Sequence, residues 1–205
     1  MKHVWTSTRA PFFIILAIFA LLETSVHAQT NKSKSAATRT KEQTSFSSEG
    51  KISKPVKLPS EVLEQLAQYD EGQLTKCQQD EFTRRPSVAE HFAAAPINLD
   101  GDRSADLIVQ AQTPCFMGAH NTTFWMFTDS GAKPNAFYKM TFDITADFLT
   151  ILKTSSNGFR DIETSSHTAA ELYTIRWKFD GKKYRQSECL LRDENDQVTK
   201  VECNF

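Results

Sequence analysis

The sequence predicts an α+β domain in which an N-terminal helix packs on a largely antiparallel β-sheet, with a β-sandwich as the alternative. Three observations carry this. Apolar residues recur at helical spacing once, shortly after residue 58. Beyond Phe92 they fall instead into short runs bounded by turn residues. Two of the intervening turns, Asn157-Gly158 and Asp180-Gly181, have the composition of tight hairpins.

The helix is expected over residues 61–69. Val62, Leu63, Leu66 and Tyr69 lie on one face, Ser60 is positioned as the cap, and Glu61 and Glu64 suit the positive helix end. Residues 107–111, 123–128 and 148–152 read as strands. Thr123-Phe124-Trp125-Met126-Phe127 is apolar on both faces, which places it centrally in the sheet. Asn157-Gly158 joins 148–154 to 159–164. Tyr173, Ile175, Trp177 and Phe179 alternate with Thr174, Arg176 and Lys178, predicting one buried and one wet face. Asp180-Gly181 then supplies the positive φ angles of a turn, and 182–190 returns.

Ahead of this domain, 1–28 has the three parts of a secretory signal peptide. Lys2 and Arg9 precede the apolar run from Phe12 to Leu22, and Val26-His27-Ala28 follows with small residues before the expected cut after Ala28. An eleven-residue run is short of the roughly 20 residues of a spanning helix, so no membrane span is expected after cleavage. The chain is therefore expected to be secreted or periplasmic. Residues 29–57 read as a disordered, basic, Ser/Thr-rich linker: ten of the 29 residues are Ser or Thr, and seven Lys or Arg face two acids. Residues 58–205 read as a single globular domain of opposite sign, with 15 Lys or Arg against 22 Asp or Glu. An acidic domain is a poor partner for nucleic acid, which needs a positive face.

All four cysteines, Cys77, Cys115, Cys189 and Cys203, fall in that domain, and an even number in an exported chain predicts two disulfides. Of the three pairings, Cys77–Cys115 with Cys189–Cys203 is favoured. The polar turn Asp193-Glu194-Asn195-Asp196 would bring the last two together, while Cys77 follows the helix and Cys115 ends the strand that comes after the acidic stretch 98–106. A zinc site would call for a CxxC pair, which is missing.

The sharpest local pattern is Asn98-Leu99-Asp100-Gly101-Asp102-Arg103-Ser104-Ala105-Asp106, followed by Leu107-Ile108-Val109. Oxygen-bearing side chains recur at its first, third, fifth and ninth positions, and such alternation on a tight loop can converge on a hard cation. The plain alternative is an Asp/Asn/Gly-rich turn between two strands. The stretch resembles the calcium loops of FG-GAP and integrin-like propeller repeats, in which an acidic loop enters a strand of this kind. That resemblance implies a Ca2+ site with Asn98, Asp100, Asp102 and Asp106 as ligands and the backbone carbonyl of Ser104 completing the shell. Arg103 stands where such loops carry Gly, and neutral Asn98 where they carry Asp, so affinity would be weak. A propeller needs several blades, and this domain is too short for them. The wider pattern, with Asn157-Gly158-Phe159-Arg160-Asp161-Ile162 and Trp177-Lys178-Phe179-Asp180-Gly181-Lys182-Lys183-Tyr184, resembles small exported bacterial proteins of uncharacterised family, which implies an envelope location.

No HExxH, GxSxG or Gly-rich phosphate loop is present, and His91, His120 and His167 belong to no such motif. The expected function is a non-enzymatic secreted or periplasmic binding or inhibitor-type protein. Its expected partner is an envelope or extracellular protein, of basic charge by complementarity. The alternative is a cell-envelope hydrolase using acidic residues, for which two facing carboxylates in a cleft would be the mark.

Overall fold

A computed structural model describes residues 42–78, 87–102, 104–129 and 137–203. The signal-peptide reading of 1–28, the first part of the expected linker (29–41) and Arg103 lie outside the described residues. Those described belong to one compact unit. Its strands are β1 (Ser45–Ser47), β2 (Phe92–Ile97), β3 (Asp106–Ala111), β4 (Thr122–Asp129), β5 (Tyr138–Ala146), β6 (Phe148–Ser156), β7 (Phe159–His167), β8 (Leu172–Phe179), β9 (Tyr184–Arg192) and β10 (Val198–Val201). The helix α1 spans Ser60–Cys77. No helix among the described residues is long and apolar enough to cross a membrane.

The strands form two antiparallel sheets, one ordered β2-β3-β4-β5 and the other β1-β6-β7-β8-β9-β10. This corrects the expectation of a single sheet: the described residues are mainly β with one α-helix, which accords with the sandwich alternative. The reason lies in β3 and β4. Both are buried along both faces, and one helix can cover only one of them. Leu107, Val109, Trp125 and Phe127 pack with Val62, Leu66 and Leu74 of α1. Ile108, Phe124 and Met126 face the other way, packing with Leu149, Ile151 and Ile162 of the six-stranded sheet. The central placement of 123–128 is as expected, since β4 lies between β3 and β5.

Residues 42–57, expected as linker, are instead part of the fold. Ser45–Ser47 pairs with β6, and Phe46 and Ile52 are buried in the core between the sheets. Two apolar side chains outweigh the polar average of the segment because each removes its full apolar area from water.

The helix begins as expected but without the expected cap. Pro59 occupies the capping position, Ser60 is the first helical residue, and no side chain caps the end. Helical geometry breaks at Tyr69, where the predicted helix ended, and Asp70, Glu71 and Gly72 then take left-handed φ angles of 49°, 52° and 77°. A further helical stretch carries the chain to Cys77.

Both disulfides are present in the favoured pairing. Cys77–Cys115 spans 5.7 Å between Cα atoms and ties the end of α1 to the short 3-10 turn Pro114–Phe116, while Cys189–Cys203 spans 5.4 Å and ties the chain beyond β10 to β9. Such a frame suits an oxidising compartment.

The Asn157-Gly158 turn has both residues at positive φ, 48° and 86°, as the two-residue hairpin requires. The Asp180-Gly181 turn differs from expectation: only Gly181 has positive φ. Asp180 works through its side chain instead, whose Oδ1 accepts the backbone N–H groups of Lys182 and Lys183 at 2.8 and 2.9 Å. The two faces of β8 are less sharply divided than expected: Leu172 through Trp177 are all partly buried, while Lys178 is exposed and Phe179 buried. On the outer face Arg176, its side chain 40% exposed, joins a cross-strand charge ladder, bridging Glu163 and Glu188, with Lys200 on Glu188.

Candidate functional site

The acidic loop connects β2 to β3, and its polar side chains close it on itself. Asn98 Oδ1 accepts the N–H of Gly101 at 2.7 Å, and Asn98 Nδ2 donates to the carbonyl of Asp102 at 2.8 Å. Asp100 Oδ1 accepts the N–H of Asp102. The Asp102 carboxylate takes both the N–H and the hydroxyl of Ser104, and that hydroxyl bond, with the N–H beside it, holds the acid below its ordinary range. These are the side-chain turns that Asp and Asn characteristically form.

Asp106 differs from its loop neighbours. It is wholly buried at the start of β3, where Oδ2 accepts the N–H of Leu99 at 2.7 Å and Oδ1 that of Asp129 at 3.1 Å. Burial pushes its carboxyl up to about 6, the two N–H groups pull it down, and the charges of Asp100 and Asp102 add to the rise. Asp100 and Asp102 thus lie near enough for their charges to act on Asp106, but the three carboxylates do not gather at one point. Among the described residues, no three or more His, Cys, Asp or Glu side chains form a group that could hold a metal.

The base of this loop is held by a clamp that the sequence did not reveal. Arg160, just past the Asn157-Gly158 turn, bonds Glu42 Oε2 at 2.9 Å across 118 residues. The same guanidinium donates to the carbonyls of Leu152, Asn98 and Ile151. Glu42 Oε1 receives the N–H of Asn98, and the N–H of Arg160 donates to Leu99 O. Residues from the expected linker, the acidic loop and the second sheet thereby meet at one point.

A second candidate site lies where the chain passes between sheets. Asp147 is the single residue between β5 and β6, so it sits at the crossing. Its backbone is pinned by Ser165 O and Ser48 N. Its side chain is only 5% exposed, and Oδ2 accepts both the backbone N–H and the Nδ1–H of His167 at 2.7 Å. A carboxylate can only accept, so Nδ1 carries the proton and, in the neutral ring, Nε2 is left as an acceptor. The His167 side chain is 50% exposed, and Phe148 meets it edge to face at 6.0 Å.

These groups line an open cleft of about 380 Å³ together with Ser47, Ser48, Glu49 and His120. Ser48 fixes one wall by donating its hydroxyl to His120 O at 2.6 Å. Phe148, at the start of β6, is 47% exposed there. A neighbouring hollow of about 280 Å³ shares Ser47 and Phe148 and is bordered by Gln43, Lys51 and Gln110. The cleft therefore offers a carboxylate, an oriented imidazole, hydroxyls and one aromatic ring to solvent.

The remaining sequence candidates are placed elsewhere. Cys115 is bonded to Cys77, so its thiol is not free. His91 is fully buried beside Gln78. Sequence reasoning missed Asp147, Phe148, Glu49 and the role of His167. The available signal was small: an Asp-Phe pair at a strand start, and a His closing an alternating strand. No protein family, curated protein or solved structure matches the chain.

Proposed function

We propose that the chain is an exported, non-enzymatic binding protein of inhibitor type, directed at a basic envelope or extracellular protein and using the cleft beside Phe148 as its contact surface. The observation that carries this is Phe148 itself. A large aromatic ring stands half-exposed in a polar cleft, held by strands on a disulfide-bonded frame. Exposed aromatics flanked by polar groups are what binding surfaces retain. Residues 42–205 carry 18 Lys or Arg against 24 Asp or Glu, a sign that suits a basic partner and speeds encounter with it. Capture from an envelope extract by the exported protein tests this. A partner retained by wild type and lost with Phe148→Ala is expected; capture of the same proteins by both would remove the cleft from the reading.

The acidic loop, by its likeness to the FG-GAP type, adds a weak structural calcium site to this proposal. Its donors are all oxygens, as a hard cation requires, and each carboxylate oxygen already bonded to an N–H retains a further lone pair. Asn98, Asp100, Asp102, Asp106 and the Ser104 carbonyl would hold the ion and fix the entry of β3. Affinity on the order of 10⁻⁴ to 10⁻³ M suffices outside cells. At 100 times its Kd calcium would stabilise the fold by about 2.7 kcal/mol. Melting in millimolar calcium and in chelator decides it, and equal midpoints would reduce the loop to a polar turn.

A second reading is favoured by one specific observation, the Asp147–His167 pair. A buried carboxylate orienting a half-exposed imidazole is the arrangement of a general base. On this reading the protein is a hydrolase of cell-wall material. Release of soluble fragments from purified cell wall, abolished in His167→Gln, would establish it; no release by wild type would exclude it.

A further inference from the structure

We propose that the cleft takes a lysine or arginine side chain from an extended segment of the partner, an inference that rests on the binding-protein reading. The charges lining the cleft set the sign. They are the carboxylates of Glu49 and Asp147, and neither Lys nor Arg contributes to the wall. Asp147 is committed to His167. Glu49 is exposed and enters no ion pair or hydrogen bond among the described residues, so its charge is left for a ligand. An anionic ligand would meet that charge, and an apolar one would desolvate both Glu49 and the imidazole without replacing their hydrogen bonds.

The remaining groups complete a cation's requirements. An ammonium has three donors and a guanidinium five, so either needs several acceptors at once. In the neutral ring, Nε2 of His167 is one, since Asp147 holds the opposite nitrogen. The Glu49 carboxylate is the second. Phe148 supplies a ring for cation–π contact, and its half-exposure leaves room for the aliphatic stem.

The adjoining hollow adds a rule of register. Lys51 borders it, across Ser47 and Phe148 from Glu49, so a second cation there would be repelled. The segment that fits carries a basic residue in the cleft and a neutral one in the hollow.

The test titrates the 15N-labelled exported protein with acetyl-arginine amide and, separately, acetyl-glutamine amide. With the arginine probe, shift changes centre on Glu49, Phe148 and His167; the glutamine probe leaves them still. Glu49→Gln and Phe148→Ala each weaken binding about threefold, the scale of one exposed ion pair or cation–π contact. Glu194→Gln, which removes the same charge from an exposed turn, leaves affinity unchanged. Changes spread evenly over the acidic surface, or equal losses from Glu49→Gln and Glu194→Gln, would overturn the proposal. So would an imidazole of His167 protonated at Nε2 and bare at Nδ1. Retention of the captured partner by the Glu49→Gln/Phe148→Ala double variant would also overturn it and move the binding-protein reading to another surface, whereas loss with Phe148→Ala but not with Glu49→Gln would overturn it and leave that reading standing. Failure of wild type to capture any partner strikes that reading instead.

Discussion

The acidic loop and the Phe148 cleft are both rich in carboxylates and hydroxyls, yet they use them in opposite directions. In the loop the polar atoms turn inward. Asn98, Asp100, Asp102 and Asp106 each accept a backbone N–H from within the loop, and Glu42 and Arg160 hold its base from outside. In the cleft Asp147 and Thr168 also accept a backbone N–H, but Asp147 in addition turns an imidazole outward, and Glu49 is left unbonded among the described residues. The loop is one run of nine residues, whereas the cleft draws on positions 47–49, 120, 147–148 and 167–168. Contiguous polar residues satisfy one another easily, because a turn brings each side chain to a nearby N–H. Glu49, brought to the cleft beside segments distant in sequence, has no such neighbour among the described residues and stays available to a ligand.

Four measurements can break or sharpen that contrast. The largest effect is expected from Arg160→Ala, which strands Glu42 and leaves three carbonyls short of a donor. A loss of about 2–4 kcal/mol in urea unfolding is expected. A loss near zero would mean that the loop does not depend on its clamp.

Next is the pH dependence set by Asp106 in calcium-free buffer. Its folded value of about 6 exceeds the ordinary value of an unfolded Asp, about 3.9. The folded state therefore holds the proton longer, so the stability it contributes is full below pH 4 and is lost as pH rises through 6. The fall is roughly 2–3 kcal/mol, and Asp106→Asn should remove that slope. A flat profile for wild type would show that the two N–H groups fully offset burial.

Third, the calcium-induced rise in melting midpoint should vanish in Asp102→Ala, while wild type and the variant respond alike to magnesium, a smaller ion that dehydrates reluctantly. The smallest effect is expected in the cleft. Phe148→Ala should change stability by no more than about 0.5 kcal/mol, because half of the ring is already in water. A loss of several kcal/mol would make Phe148 a core residue and remove the contrast.

Much of the framework was legible because its signals are local. The doubly apolar Phe124–Phe127 run placed β4 centrally, Asn157-Gly158 dictated a turn through its two positive φ angles, and the polar stretch 193–196 set Cys189 against Cys203. What escaped was long-range. A composition average over 29–57 hid Phe46 and Ile52, whose value comes from a pocket that other strands build. The alternation in β8 separated its two faces, but nothing local says that Glu163 and Glu188 will flank Arg176 on the outer one. The acidic loop stood out by spacing alone. The cleft could not, since Asp147 and His167 become neighbours only when β6 and β7 close.

The place of β1 bears on self-association. It covers one edge of β6, and its own outward carbonyls are already taken: Ser45 O by Gln43, Ser47 O by Gln110 and Gly50. The sheet thus ends in a blunted edge rather than a template for another chain. A chain starting at Leu58 would lose that guard and leave β6 with a bare ladder beside Leu149 and Ile151. Two such copies could zip together edge to edge, and the shortened protein should elute from a sizing column as oligomers where the longer one elutes as a single small species.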